Sequence, residues 1–90
     1  MGKLVRDNMA AAEAAELALK QTLLEALQKA IRARGWKQAE AADELGLDQA
    51  KVSKLLNGHL TDFSTERLVR LLALLGHDVA VSIGPISRRR

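Results

Sequence analysis

The stretch from residue 36 to residue 58, WKQAEAADELGLDQAKVSKLLNG, places two short amphipathic segments on either side of a glycine. Gly46 can adopt a positive φ without the steric cost that a Cβ brings, so the chain can turn sharply there. Asp48 is a good N-cap for a following helix. We therefore expect two short helices, over residues 38–45 and 49–57, that meet at a steep angle and share one apolar side.

The second of these helices is predicted to project from the body of the domain and to present a polar outer face. That face consists of short, polar or cationic side chains without an acid beyond the cap: Gln49, Ala50, Ser53, Lys54 and Asn57, with Lys51 at the flank. An α-helix fits the major groove of DNA, where amide, hydroxyl and ammonium groups can contact base edges and phosphates. This pattern indicates a DNA recognition helix.

The remaining segments predict further helices and one strand. Residues 8–33 are rich in strong helix formers, and whether they form one helix or two stays open. Their expected core positions are Leu17, Leu23, Leu24, Leu27, Ala30 and Ile31. A helix capped by Ser64 follows the apolar anchor Phe63. The expected core positions of that helix are Leu68, Leu71, Leu72 and Leu75.

After this helix the apolar period changes, because Val79, Val81 and Ile83 alternate with other residues, as in a half-buried strand. A single strand has no partner within a helical chain, so it is expected to pair across a dimer or with another protein. The predicted organisation runs from the N terminus to the C terminus in four parts. These are an N-terminal helical extension (1–19), a helix-turn-helix domain (20–76), a strand (77–85) and a basic tail (86–90).

Composition narrows the possible functions. The 90 residues suit one small domain, and the absence of cysteine excludes disulfides and thiolate metal sites. No metal and no cofactor are expected, and an enzyme is disfavoured because there is no tyrosine and no glycine-rich phosphate loop. No secretory signal and no membrane-length apolar run stand out, so a cytoplasmic protein is expected. The net charge of +3 equals the contribution of the terminal Arg88–Arg90, so charge distribution matters more than the total.

These residues resemble a known family. The positions that match the lambda-repressor-like (XRE/Cro-type) helix-turn-helix pattern are Gln38, Ala41, Ala42, Gly46, Val52 and Leu55. Residues 20–84 more narrowly resemble the HigA-type antitoxins, which accompany a RelE-like toxin, through RARGWKQAEAADELGLDQAKVSKLLNG and FSTERLVRLLALLGHDVAVSI. The resemblance implies an all-α, lambda-repressor-like bundle of four to five helices, with the short C-terminal strand pairing across a dimer.

The resemblance also implies roles for individual residues. The residues that would contact base edges are Gln49, Ala50, Ser53 and Lys54. Those that would contact phosphates are Lys37, Gln38, Lys51, Asn57 and His59. Lys37 departs from the pattern, since it replaces a helix-capping threonine, and the lost cap should weaken the helix locally by about 1 kcal/mol. Trp36 and Ala50 replace a smaller aliphatic residue and a proline, respectively.

The function that follows is a sequence-specific, double-stranded DNA-binding repressor that binds its operator as a homodimer. The narrower resemblance implies the antitoxin of a HigB/RelE-type pair that represses its own operon. The toxin is expected to contact the N-terminal helix or the strand, because the DNA-binding face is otherwise occupied. Two alternatives stay open. One is a stand-alone or phage-type regulator, and the other is a protein-interaction module that keeps the fold without binding DNA.

Overall fold

The computed structural model describes the backbone of residues 2–84 and the side chains of residues 9–84. Within that range all the regular secondary structure is helical. It forms α1 (Gly2–Ala33), α2 (Gln38–Leu45), α3 (Gln49–Leu56), a 3-10 turn (Leu60–Asp62) and α4 (Thr65–Leu74). The predicted all-α class is therefore confirmed, with four α-helices. None of the helices in this range combines the length and apolarity that crossing a membrane requires.

Helix α1 is one continuous helix, which answers the question that the sequence left open. It begins at Gly2 and so starts earlier than the expected residue 8. At 1.5 Å per residue it is about 48 Å long, which accounts for the longest dimension of the fold, 51 Å. Helices α2, α3 and α4 have 8, 8 and 10 residues, so they can cover only part of this length.

The hydrophobic core lies between the C-terminal half of α1 and the three shorter helices. The buried core residues of α1 are Leu23, Leu24, Leu27, Ala30 and Ile31. Those of the other segments are Ala41, Ala42, Leu45, Val52, Leu55, Phe63, Leu68, Leu71, Leu72 and Leu75. The core prediction for Leu17 is wrong, because this side chain is 57% exposed. Leu17 lies in the half of α1 that extends beyond the core.

The C-terminal strand predicted for residues 77–85 is not observed in residues 77–84, which have no regular secondary structure. A strand needs a neighbouring backbone for its hydrogen bonds, and the other described segments of the chain are helices and turns. Val79 is half-buried against the core, whereas Val81 and Ile83 are 59% and 90% exposed. Residue 85 and the basic tail, 86–90, lie outside the described residues.

Candidate nucleic-acid interface

The turn between α2 and α3 has the geometry that the sequence predicts. Gly46 has a φ of 68°, in the left-handed region that favours glycine. The backbone N–H of Leu47 then donates to the carbonyl oxygen of Ala42 at 2.9 Å and closes the end of α2. Leu47 is half-buried and packs against the core at this corner. These contacts set the direction in which α3 leaves the turn.

The N-terminus of α3 is capped by Asp48, as predicted. The Asp48 Oδ1 atom accepts a hydrogen bond from the backbone N–H of Lys51 at 2.7 Å. On the inner side of the helix, Val52 and Leu55 are completely buried. The inner face and the first turn of α3 are therefore held in place, and its outer face is left to interact with a partner.

The C-terminus of α3 is held by a residue that the sequence did not single out. The Nε2 atom of Gln28, on α1, donates to the carbonyl oxygen of Leu55 at 2.9 Å, and it lies 3.4 Å from that of Leu56. The last carbonyl groups of a helix lack partners within the helix, so this amide supplies one. The only local signal was that Gln28 borders the apolar stripe of α1, and that signal does not reveal the contact.

The four residues predicted to contact bases share one face of α3, since their spacing of one, four and five positions places them on the same side of a helix. Gln49, Ala50 and Lys54 are exposed, and Ser53 is half-buried. Asn57, predicted to contact a phosphate, is exposed one turn further along, and its Nδ2 atom donates to Ser53 Oγ at 3.4 Å. The structure thus brings these groups together on one surface.

Lys54, Lys51 and the neighbouring His59 have partners in or next to the turn that follows α3. Lys54 Nζ lies 3.6 Å from Asp62 Oδ1, and His59 Nδ1 lies 3.6 Å from Asp62 Oδ2. Lys51 Nζ lies 5.4 Å from the ring centroid of Phe63, within the range of a cation–π interaction. The expected acid-free face is therefore interrupted, because tertiary packing brings the carboxylate of Asp62 beside α3.

Lys37 and Gln38 occupy a different element, the start of α2, and both are exposed. Lys37 is the N-cap residue, but its side chain makes no capping hydrogen bond, because an ammonium group has no acceptor. Glu40 supplies the other half of a capping box, in which the N-cap side chain and the side chain three residues later each accept from the other's backbone N–H. Its carboxylate accepts from the Lys37 backbone N–H at 2.8 Å. The missing cap inferred from the sequence is thus confirmed.

The link between α1 and α2 is anchored by Arg34 and Trp36. Arg34 Nη2 donates to the carbonyl oxygen of Leu75, at the end of α4, at 2.8 Å. Its guanidinium carbon lies 5.3 Å from the centroid of the Trp36 ring, and Trp36 is half-buried at the edge of the core. Trp36 therefore stabilises the approach to α2.

Comparison with known proteins agrees with this geometry. A family model described as a helix-turn-helix domain matches residues 4–84. A solved structure whose name assigns it to the XRE family of transcriptional regulators is 42% identical, with a TM-score of 0.77. The match covers 87% of this chain and 88% of that chain. No curated protein matches the sequence. The chain therefore belongs to the XRE-type helix-turn-helix family of transcriptional regulators.

Proposed function

We propose that the protein is a sequence-specific repressor that binds double-stranded DNA by inserting α3 into the major groove. The observation that supports this most directly is the exposed polar face of α3, whose ends are held by Asp48 and Gln28. A rigidly held helix presents its side chains in one register, which base recognition requires. The α3 surface, defined as Gln49, Ala50, Ser53, Lys54 and Asn57, is the proposed contact region.

The side chains of this surface match the chemistry of base edges. The Gln49 amide can bond to N6 and N7 of adenine, and the Lys54 ammonium can donate to O6 and N7 of guanine. Ala50 can contact a thymine methyl group, and Ser53 can accept from or donate to either type of edge. In this proposal these four residues determine sequence preference.

Phosphate contacts would fix the position of the helix on the duplex. Lys37 and Gln38 lie at the N-terminus of α2, where free backbone N–H groups and the helix dipole favour an anion. Lys51, Asn57 and His59 would contact the backbone beside the groove. Such contacts contribute affinity and register without reading sequence.

We also propose that the repressor acts as a homodimer on two half-sites about one helical turn apart. The exposed Val81 and Ile83 leave apolar surface that a second copy can cover, with Val79 at the edge of the core. Pairing of residues 79–83 between two copies would supply the backbone partner that residues 2–84 of one chain do not provide. Sedimentation of a variant truncated before Asp78 tests this, because the proposal requires monomers.

The narrower proposal is that this repressor is the antitoxin of a HigB/RelE-type pair and represses its own operon. It rests on the resemblance of residues 20–84 to the HigA-type antitoxins. Co-purification with the product of a neighbouring gene, followed by suppression of the toxicity of that product, would support it. A functional operator without a toxin gene nearby would favour a stand-alone or phage-type regulator.

The DNA-binding proposal is tested by titrating a fluorescent duplex from the region upstream of the gene, and a scrambled duplex, at several salt concentrations. The wild-type protein should prefer the upstream duplex, and its affinity should fall with salt. Lys51→Glu combined with Lys54→Glu should abolish binding while leaving the circular dichroism spectrum unchanged.

The matched control is Lys20→Glu combined with Lys29→Glu, which makes the same charge change on α1. This control should retain binding to the upstream duplex. Equal loss in both double variants would indicate a general charge effect and would contradict the assignment of α3. Weak binding without sequence preference in the wild type would favour a protein-interaction module.

A further inference from the structure

Packing against the core holds the carboxylate of Asp62 beside the α3 surface. Asp62 ends the 3-10 turn, and the next residue, Phe63, is 3% exposed and belongs to the core. Leu60, at the start of the turn, is half-buried against the same core. The turn therefore cannot move away from α3 without exposing these apolar side chains. Asp62 is a fixed neighbour of Lys54.

Asp62 contacts two of the groups proposed to bind DNA. Its two carboxylate oxygens lie 3.6 Å from Lys54 Nζ and 3.6 Å from His59 Nδ1. These distances are shorter than the screening length of about 8 Å at physiological salt. The carboxylate therefore lowers the positive potential of this part of the surface even in solution. It also repels any phosphate that approaches the same two groups.

We infer that Asp62 is a specificity-determining residue, which weakens the binding of α3 to the phosphates of arbitrary DNA more than its binding to the operator. This inference rests on the proposed DNA-binding function. Affinity for arbitrary sequence comes almost entirely from cations that neutralise phosphates and release counterions. A carboxylate that occupies Lys54 competes directly with that type of contact.

Asp62 weakens the contact of Lys54 with bases less than its contact with phosphates, because of the donors that the ammonium group carries. Lys54 has three N–H donors and no acceptor, so it can remain beside Asp62 while donating to a guanine edge. To neutralise a phosphate fully, it must instead give up part of its interaction with Asp62. Lys51, which lies over the Phe63 ring, is not restrained by this carboxylate.

The test is Asp62→Asn, which removes the charge and keeps the size of the side chain. Affinity for a scrambled duplex should rise about fivefold, and the salt dependence should steepen by about 0.9 in log–log slope, as for one added phosphate contact. Affinity for the upstream duplex should rise less than twofold. Unchanged affinity for the scrambled duplex, or an equal rise on both duplexes, would overturn the inference.

Two controls show whether the effect acts through Lys54. Glu13→Gln makes the same charge change at an exposed position of α1 and should leave both affinities unchanged. In a Lys54→Gln background, Asp62→Asn should raise affinity for the scrambled duplex less than twofold, because only its effect near His59 remains. A rise of the same size in either control would contradict a role for the Asp62–Lys54 pair.

The same titrations separate this inference from the proposed function. If the wild-type protein does not prefer the upstream duplex, the proposed function fails, whatever Asp62→Asn does. If the wild type prefers that duplex and Asp62→Asn changes nothing, the inference alone fails. Thermal melting of Asp62→Asn should match the wild type, because exposed ion pairs contribute little to stability.

Discussion

The side-chain amide of Gln28 lies 2.9 Å from the carbonyl oxygen of Leu55 and joins α1 to the end of α3. This hydrogen bond connects the longest helix of the fold to the helix proposed to contact DNA. Together with the Asp48 cap at the other end, it restrains α3 at both termini. The orientation of α3 therefore depends on a residue that is remote in sequence.

Replacement of Gln28 by Ala should lower the free energy of unfolding by about 1 kcal/mol, because the hydrogen bond that joins α1 to the end of α3 is lost. The carbonyl oxygen of Leu55 keeps the backbone N–H of Gly58 as a donor at 3.2 Å. Urea denaturation followed by the fluorescence of Trp36, the only tryptophan, measures this change. Gln21→Ala is the control, since the Gln21 side chain bonds to the exposed side chain of Glu25 on the same helix. Equal destabilisation by the two substitutions would contradict the role assigned to Gln28.

Replacement of Gly46 by Ala should destabilise the fold by about 1–2 kcal/mol, because a left-handed φ disfavours a Cβ. A Cβ at this position would meet nothing within 4 Å, so the effect comes from the backbone and not from a clash. Thermal melting should show a smaller loss for Gly46→Asn, since asparagine tolerates this region better. Gly84→Ala, in open space without a positive φ, should be neutral. A loss for Gly46→Asn as large as that for Gly46→Ala would refute this explanation.

Replacement of Lys37 by Thr should change stability and DNA binding in opposite directions. The threonine hydroxyl can accept from the backbone N–H of Glu40 and complete the capping box with Glu40, so the free energy of unfolding should rise by about 0.5–1 kcal/mol. Loss of a proposed phosphate contact should weaken binding to upstream and scrambled duplexes alike. Lys37→Ala removes the charge without adding a cap, so it should weaken DNA binding without raising the free energy of unfolding. A similar gain in Lys37→Ala would exclude capping as its cause.

Replacement of Gln49 by Ala should weaken binding to the upstream duplex by about 1–3 kcal/mol and change binding to a scrambled duplex little. The reason is that a base contact contributes only on the cognate sequence. Lys51→Gln is the comparison, because the loss of a phosphate contact should weaken both complexes. If Gln49→Ala reduced both affinities equally, Gln49 would not be reading a base.

Several local features were predictable because their causes lie within a few residues. Asp48 and Ser64 cap the helices that follow them, with hydrogen bonds to residues three positions later. Gly46 adopts the left-handed conformation that its position between two amphipathic segments indicated. The buried sides of α3 and α4 follow from apolar spacing alone. Each of these features depends on residues close together in the chain, so it can be predicted from the sequence directly.

Other features depend on how distant segments approach one another. Leu17 has the spacing of a core residue, but it lies on the part of α1 that precedes the core and is 57% exposed. The alternation of Val79, Val81 and Ile83 has the period of a strand, but residues 77–84 find no strand partner in the part of the chain that the structure describes.

The α3 surface likewise combines features that the sequence predicts with features that only tertiary packing creates. The order of residues along α3 places Gln49, Ser53 and Lys54 on one face, because helical periodicity requires it. The hydrogen bond from Gln28 and the carboxylate of Asp62 reach this surface only when α1 and the 3-10 turn pack against α3. Such contacts join residues that periodicity cannot relate, since their proximity arises from burying a common core.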